Sequence, residues 1–148
     1  MRLNCDCVRD IMLWAEAITT PNRFAVYVDT DSLKRNGFMY AKDSDKPVPN
    51  KPQQELLAKY SNEVLVYHIN YCLKARFLEG SLPDMVTYKI DDLTPEGHQF
   101  MANIRSNTVF NKTKEIGKKL GVESLMGFAR IAEGIVAETI RACLANPQ

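Results

Sequence analysis

The stretch EVLVYHINYCLKARFLEG, Glu63 to Gly80, decides how this chain is read. Leu65, Ile69, Cys72, Leu73 and Arg76 recur at helical spacing, so that side of a helix faces a core. Ser61 or Asn62 can cap its start, and Gly80 stops the run. FLE, then GSLPD, then MVTYKID follow as strand, turn and strand. Just upstream, QQELLAKY behind Pro52 reads as a second, shorter helix, with proline favoured at a helix start. Two helices a few residues apart, the later one running into a hairpin, are the signature of a winged helix-turn-helix.

Upstream of that pair, a helix is expected from about Asp6 to Ile18, with Val8, Ile11, Met12, Ala15 and Ile18 as its apolar stripe. TTPN ends it, and FAVYV, Phe24 to Val28, reads as a short strand. Residues 29–51 lack periodicity and are rich in Pro, Asp, Lys and Ser, so they read as a long exposed loop.

Downstream, Thr94 and Pro95 open a helix through TPEGHQFMANIR. In TVFNKTKEIGKKL, Val109, Ile116 and Leu120 fall on one side, with Thr113 between them. The last helix, VESLMGFARIAEGIVAETIRACLA, has a wide stripe through Leu125, Phe128, Ala129, Ala132, Ile135, Val136, Ile140 and Cys143. A stripe that wide demands a partner surface, either the domain core or a second copy. Gly127 and Gly134 are seven residues apart and would allow close helix approach.

Composition sets limits on function. The chain has 148 residues, 45% hydrophobic and 25% charged, as an ordinary globular domain does. No apolar run approaches the roughly 18 residues of a membrane span, and MRLNCDCVRD is too charged for a signal peptide. A cytoplasmic protein is expected. Nineteen Lys and Arg against eighteen Asp and Glu leave a net charge of only +1, low for a dedicated nucleic-acid binder. Cys5, Cys7 and Cys72 with His68 are the residue types of a zinc site. There is no CxxC pair and Cys72 lies on the apolar stripe, so buried thiols are expected and no metal or cofactor. His68 and His98 are isolated, and there is no phosphate loop or nucleophile elbow, so an enzyme is not expected.

CDCVRDIML, VYHINYCLKARFLEG and LTPEGHQFMANIRSNTVFNKTK resemble the blocks of the domain of unknown function 2513 family. Asp6, Val8 and Arg9 match the first block, and Tyr67, His68, Leu73, Ala75 and Leu78 the second. The third is matched by Leu93, Thr94, Glu96, Gly97, His98, Phe100, Ile104, Arg105, Thr108, Asn111, Lys112 and Lys114. Arg76 stands where that family often has glycine, and Phe110 where it has tryptophan. The resemblance implies a winged-helix-like fold in a small bacterial protein, frequently of phage or prophage origin, with no established biochemical activity. It implies structural roles for Thr94, Glu96, Gly97, His98, Arg105 and Asn111.

The expected fold is therefore α+β and mainly helical. A winged helix-turn-helix with a small β-wing spans residues 1–105, with the loop at about 29–51. Two further helices over 106–148 are packed on the domain or form a homodimer interface through 122–144. Double-stranded DNA is the leading expected partner, in a transcription-regulating role. Tyr67, Asn70, Tyr71, Lys74 and Arg76 on the third helix would contact it, with Lys89 beside the wing and Lys112, Lys118 and Lys119 sharing one helix side opposite Val109 and Ile116. The alternative is a module that binds and modulates a host or defence protein without touching DNA. Two tyrosines, a glutamate on the helix face, and Glu79 and Asp84 in the wing suit that reading.

Overall fold

Asn4 starts the first helix, its Oδ1 accepting the Cys7 N–H at 3.1 Å. This computed structural model describes residues 1–82 and 84–146; Pro83, in the expected wing tip, and residues 147–148 lie outside the described part. Helix α1, Cys5–Ile18, buries Cys7, Val8, Ile11, Met12, Trp14, Ala15 and Ile18. Strand β1, Ala25–Val28, follows.

The segment 29–51 is not one long loop. Asp29 caps a helix, α2, Thr30–Asn36, accepting the Ser32 N–H at 3.1 Å, and single 3-10 turns follow at Gly37–Met39 and Asp43–Asp45. Of α2 only Ser32 is buried, so no apolar stripe announced it.

Helix α3, Lys51–Lys59, is capped by Asn50, and α4, Asn62–Lys74, by Ser61. Helix α4 ends in a Schellman arrangement. The Arg76 N–H donates to Leu73 O at 3.1 Å and the Phe77 N–H to Cys72 O at 2.9 Å. This requires a left-handed residue between them, and Arg76 sits at φ 59. A glycine would adopt that conformation without steric cost. Arg76 thus lies past the end of the helix with its side chain exposed, rather than on the core-facing side.

Strands β2, Leu78–Ser81, and β3, Thr87–Leu93, complete an antiparallel sheet of order β1-β3-β2. Val28 pairs with Thr87 and Leu78 with Leu93, and the register shifts at Glu79/Gly80. Helices α5, Pro95–Ile104, α6, Asn107–Leu120, and α7, Leu125–Ala145, finish the fold. Among the described residues the protein is a mainly helical α+β fold with a small three-stranded sheet. No described helix is long and apolar enough to cross a membrane.

One core unites these elements. Ile11 and Met12 of α1, Leu65 and Ile69 of α4, Tyr27 and Ile90 of the sheet, and Met101 and Ile104 of α5 are all fully buried. Each contributes about 1.5–3 kcal/mol of transfer free energy. The core continues into the C-terminal helices through aromatic rings. Phe77 stacks on Phe100 at 4.9 Å, and both Phe100 and Phe110 meet Phe128 edge-on, at 6.1 and 6.0 Å.

The last two helices differ from expectation in their faces. Helix α6 buries Phe110, Thr113 and Gly117, while Leu120 is 68% exposed. Helix α7 buries only Leu125, Phe128 and Ala132. A Cβ at Gly134 would meet no atom within 4 Å, so this glycine seats no neighbouring helix of the chain.

Candidate nucleic-acid interface

In a winged helix the outward face of the third helix enters the major groove. Here that face is on α4, and three of its polar side chains are tied down within the chain. The Tyr67 hydroxyl donates to Met1 O at 3.1 Å. Asn70 Nδ2 donates to the Tyr88 hydroxyl of β3 at 3.1 Å, and the Tyr71 hydroxyl accepts the Leu125 N–H at 3.4 Å. All three residues are half-buried, whereas Lys74 and Arg76 are exposed.

The N-terminal end of α4 is acidic. Asn62, buried, donates through Nδ2 to Asp29 at 2.8 Å and Asp31 at 3.0 Å, while its Oδ1 accepts the Tyr27 hydroxyl and the Thr30 N–H. Burial pushes the Asp29 carboxyl up, but hydrogen bonds from the Ser32 N–H, Asn62 and the Ser32 hydroxyl outweigh it and leave it below the ordinary carboxylate range. Asp29 therefore carries its charge at neutral pH. It lines a cleft of 390 Å³ together with Glu63, Tyr67 and Asn70.

His68 lies on the opposite, fully buried side of α4. The Val64 carbonyl, 2.7 Å from Nδ1, can only accept, so Nδ1 carries the proton, and Nε2 accepts the Asn4 N–H at 2.9 Å. Nδ1 thus fixes the neutral ring to its own helix, and Nε2 holds the start of α1 on α4. The neighbouring thiols stay protonated, burial raising Cys5 to about 11 and Cys7 and Cys72 to about 12. Burial also lowers the His68 pKa, with the Val64 hydrogen bond opposing. The native state then takes up a proton later than the unfolded chain does, as pH falls below the ordinary value of about 6.5. The contribution of His68 to stability should be flat above that pH and fall below it, by up to about 1.4 kcal/mol for each pH unit. Urea melts at pH 7.5, 6 and 5 should show this slope, and His68→Gln should abolish it. An equal slope in the variant would remove His68 as its source.

The hairpin carries no cation at its described tip. Asp84 Oδ1 accepts the Val86 and Thr87 N–H groups, both at 2.7 Å, while Leu82 and Met85 are exposed. Lys89 is turned to the sheet, its Nζ 3.3 Å from Asp91 and over the Phe24 ring.

The α6 lysines do not share one side. Six residues turn a helix through about 600°, which leaves Lys118 roughly 120° from Lys112. Lys112 lines a groove with Ile116 of its own helix, so it does not oppose Ile116. Lys118 lines a separate depression beside Arg2 and Asp6. Lys119 is paired with Glu115 at 3.3 Å, Lys114 with Asp6 at 2.9 Å, and Arg105 with Glu16 at 2.7 Å. Among the described residues, Lys74, Arg76, Lys112 and Lys118 have no ion-pair partner.

Of the motif residues, Thr94, Gly97 and Arg105 sit at joints. Thr94 caps α5 through the Gly97 N–H at 3.0 Å, and its own N–H and hydroxyl hold Phe77 O and Arg76 O. Gly97 lies against the Phe77 carbonyl, where a Cβ has no room. Exposed His98 is 3.5 Å from Asp92. Glu96 and Asn111 are exposed, Glu96 on the rim of the α5–α7 groove. Arg9 of α1 donates to Arg105 O at 2.6 Å and Asn107 Oδ1 at 2.9 Å. Arg9 and Lys114 both lie over the Phe110 ring, 4.5 and 4.7 Å from its centroid, and clamp α6 to α1. The sequence blocks already contained Arg9 and Lys114, but nothing in their spacing showed that they meet at one ring.

A family model described as hypothetical protein (DUF2513) matches residues 2–123. No curated protein matches the chain, and no solved structure does.

Proposed function

The chain belongs to the hypothetical-protein family DUF2513, and from that premise we propose that it is a winged helix-turn-helix protein whose α4 face binds another protein, not DNA. The winged-helix reading is supported by the order α1, β1, α3, α4, β2, β3, with α2 inserted, and by the sheet order β1-β3-β2. One observation carries the choice of ligand. Tyr67, Asn70 and Tyr71 on the face of α4 are engaged within the chain, and Asp29, Asp31 and Glu63 stand at the end that would meet a phosphate backbone.

The surroundings favour the same class of partner. Phe38 is 84% exposed, next to exposed Met39, and Val48 of the same segment is exposed too. Leu82 and Met85 of the hairpin add a second apolar point, and the Asp29 N–H donates to Val86 O at 2.7 Å, tying the two regions at their base. Exposed apolar and aromatic side chains of this kind suit contact with a protein surface.

A DNA-binding reading is kept second by the exposed, unpaired Lys74, Arg76, Lys112 and Lys118. Fluorescence polarisation with random duplex DNA, over a salt series starting near about 50 mM, separates the two. No binding at the lowest salt is expected. Salt-sensitive binding, weakened on every sequence by Lys74→Glu and Lys118→Glu, would favour DNA instead. A change of sequence preference in Asn70→Ala would then place α4 in the groove.

A further inference from the structure

Between α5 and α7 lies a cavity of 370 Å³, at the small end of the range of ligand pockets, about 300–1,000 Å³. Phe77 and Phe100, stacked at 4.9 Å and each only 3% exposed, form its floor. Half-buried Ala129 and exposed Met126 form its α7 side. Asn103 of α5 lines the same cavity and is only 8% exposed. Its side chain has one hydrogen bond among the described residues, Oδ1 accepting from Gln99 Nε2 at 3.3 Å. Both Nδ2 protons are left without a partner in the chain, and so is Gln99 Oε1 beside them. A carboxamide this deeply buried loses stability when its donors go unmet, so it calls for a partner inside the cavity.

We propose that this cavity binds a small neutral molecule made of one apolar or aromatic group and an adjacent carboxamide. The apolar group covers the Phe77 and Phe100 floor, and the exposed thioether of Met126 adapts to its shape. The carboxamide is selected by what is left unpaired. Its oxygen accepts from Asn103 Nδ2, and its N–H donates to Gln99 Oε1. Charge at the rim excludes an anion such as a carboxylate, because Glu96 and Glu133 outnumber Arg130 there. A cation is excluded too, since the free protons of Asn103 need an acceptor. Without ligand, water meets Nδ2, and the bound carbonyl takes over that bond while the apolar group removes the floor from water. No residue of α4 lines the cavity, so the site stands apart from the reading of the α4 face.

Titration of the full, isotope-labelled chain with N-acetylphenylalaninamide and N-acetylleucinamide, followed by NMR, tests the inference. At least one should give saturable shifts at the Asn103 side-chain amide, Met126 and Ala129, with a dissociation constant of about 1 mM or below. N-acetylglycinamide, which keeps the amide and lacks the apolar group, should not saturate. Phenylacetate, which carries an anion in place of the amide, should bind at least about tenfold more weakly. Asn103→Leu should weaken binding about three- to tenfold, the loss of one neutral hydrogen bond. Ala129→Phe, which fills the cavity, should abolish it. Met126→Trp, at an exposed position, obstructs the same space and decides the question should Ala129→Phe not fold. Absence of saturable shifts with both apolar amides, equal affinity in Asn103→Leu, or binding that survives in the folded obstructed variant would each overturn the site.

Discussion

Replacing Gly97 by alanine should destabilise the fold by about 3 kcal/mol or more and lower its melting temperature by roughly 10 °C. A Cβ at this position would lie 2.1 Å from the Phe77 carbonyl oxygen and 3.0 Å from its carbon, with Met12 Cε at 3.2 Å on another side. The two nearest atoms are backbone, so no rotamer change relieves the overlap. The first turn of α5 must withdraw, and doing so breaks the bonds from Thr94 to Arg76 O and Phe77 O. Against this stands the gain from alanine's helix propensity, at most about 1 kcal/mol. The clash wins. Gly117→Ala is the matched control, since a Cβ there meets only Ile131 Cδ1 at 3.8 Å. Thermal melts of both variants decide the matter, and equal melting temperatures would show that α5 is not held against Phe77 as described.

Gln53→Leu should cost about 3 kcal/mol although it exchanges a polar for an apolar side chain of similar size in a fully buried place. Gln53 reaches from α3 to the free edge of β1. Its Oε1 accepts the Val28 N–H at 2.9 Å and its Nε2 donates to Val28 O at 2.7 Å, as a neighbouring strand would. Leucine leaves both backbone groups buried without partners, at about 1–3 kcal/mol each. Its greater hydrophobicity offsets only part of that loss. Urea denaturation gives the stability, and hydrogen exchange at the Val28 amide gives the cause. A stability loss below about 1 kcal/mol, with Val28 still protected, would mean that water or another group takes over the pairing.

Much of the architecture was legible because it is written in local signals. Ser61, Thr94 and the apolar spacing placed α4 and α5 almost to the residue. The strands around residues 78–81 and 87–93 followed from composition and turn residues. Helix α2 escaped because its evidence is a cap at Asp29 without a stripe behind it. Lys118 stands off the side that Lys112 and Lys119 share because six residues turn a helix through about 600°, and the face of α6 is set by Phe110, which α1 claims through Arg9.

The candidate site was less legible for a different reason. Period analysis identifies which side of a helix faces inward, but contacts to the other side come from distant parts of the chain. Met1, Tyr88 and Leu125 each reach α4 from outside its sequence neighbourhood, and Asp29 and Asp31 come from a segment read as loop. Buried Gln53 gave no hint that it completes a sheet edge. In each case the fact needed was a long-range partner, which a single sequence does not contain.

The column of phenylalanines also bears on how such a chain could be shortened. The family match ends at residue 123, but Phe100 and Phe110 both lie against Phe128, which comes five residues later. A chain cut at the family boundary would lose that ring together with Leu125 and Ala132, and would turn two buried aromatic edges towards solvent. The unit that is inherited and the unit that closes its own core therefore have different ends. A relative that stops near that boundary must cover Phe100 and Phe110 with something else, whether larger neighbouring side chains or a borrowed helix.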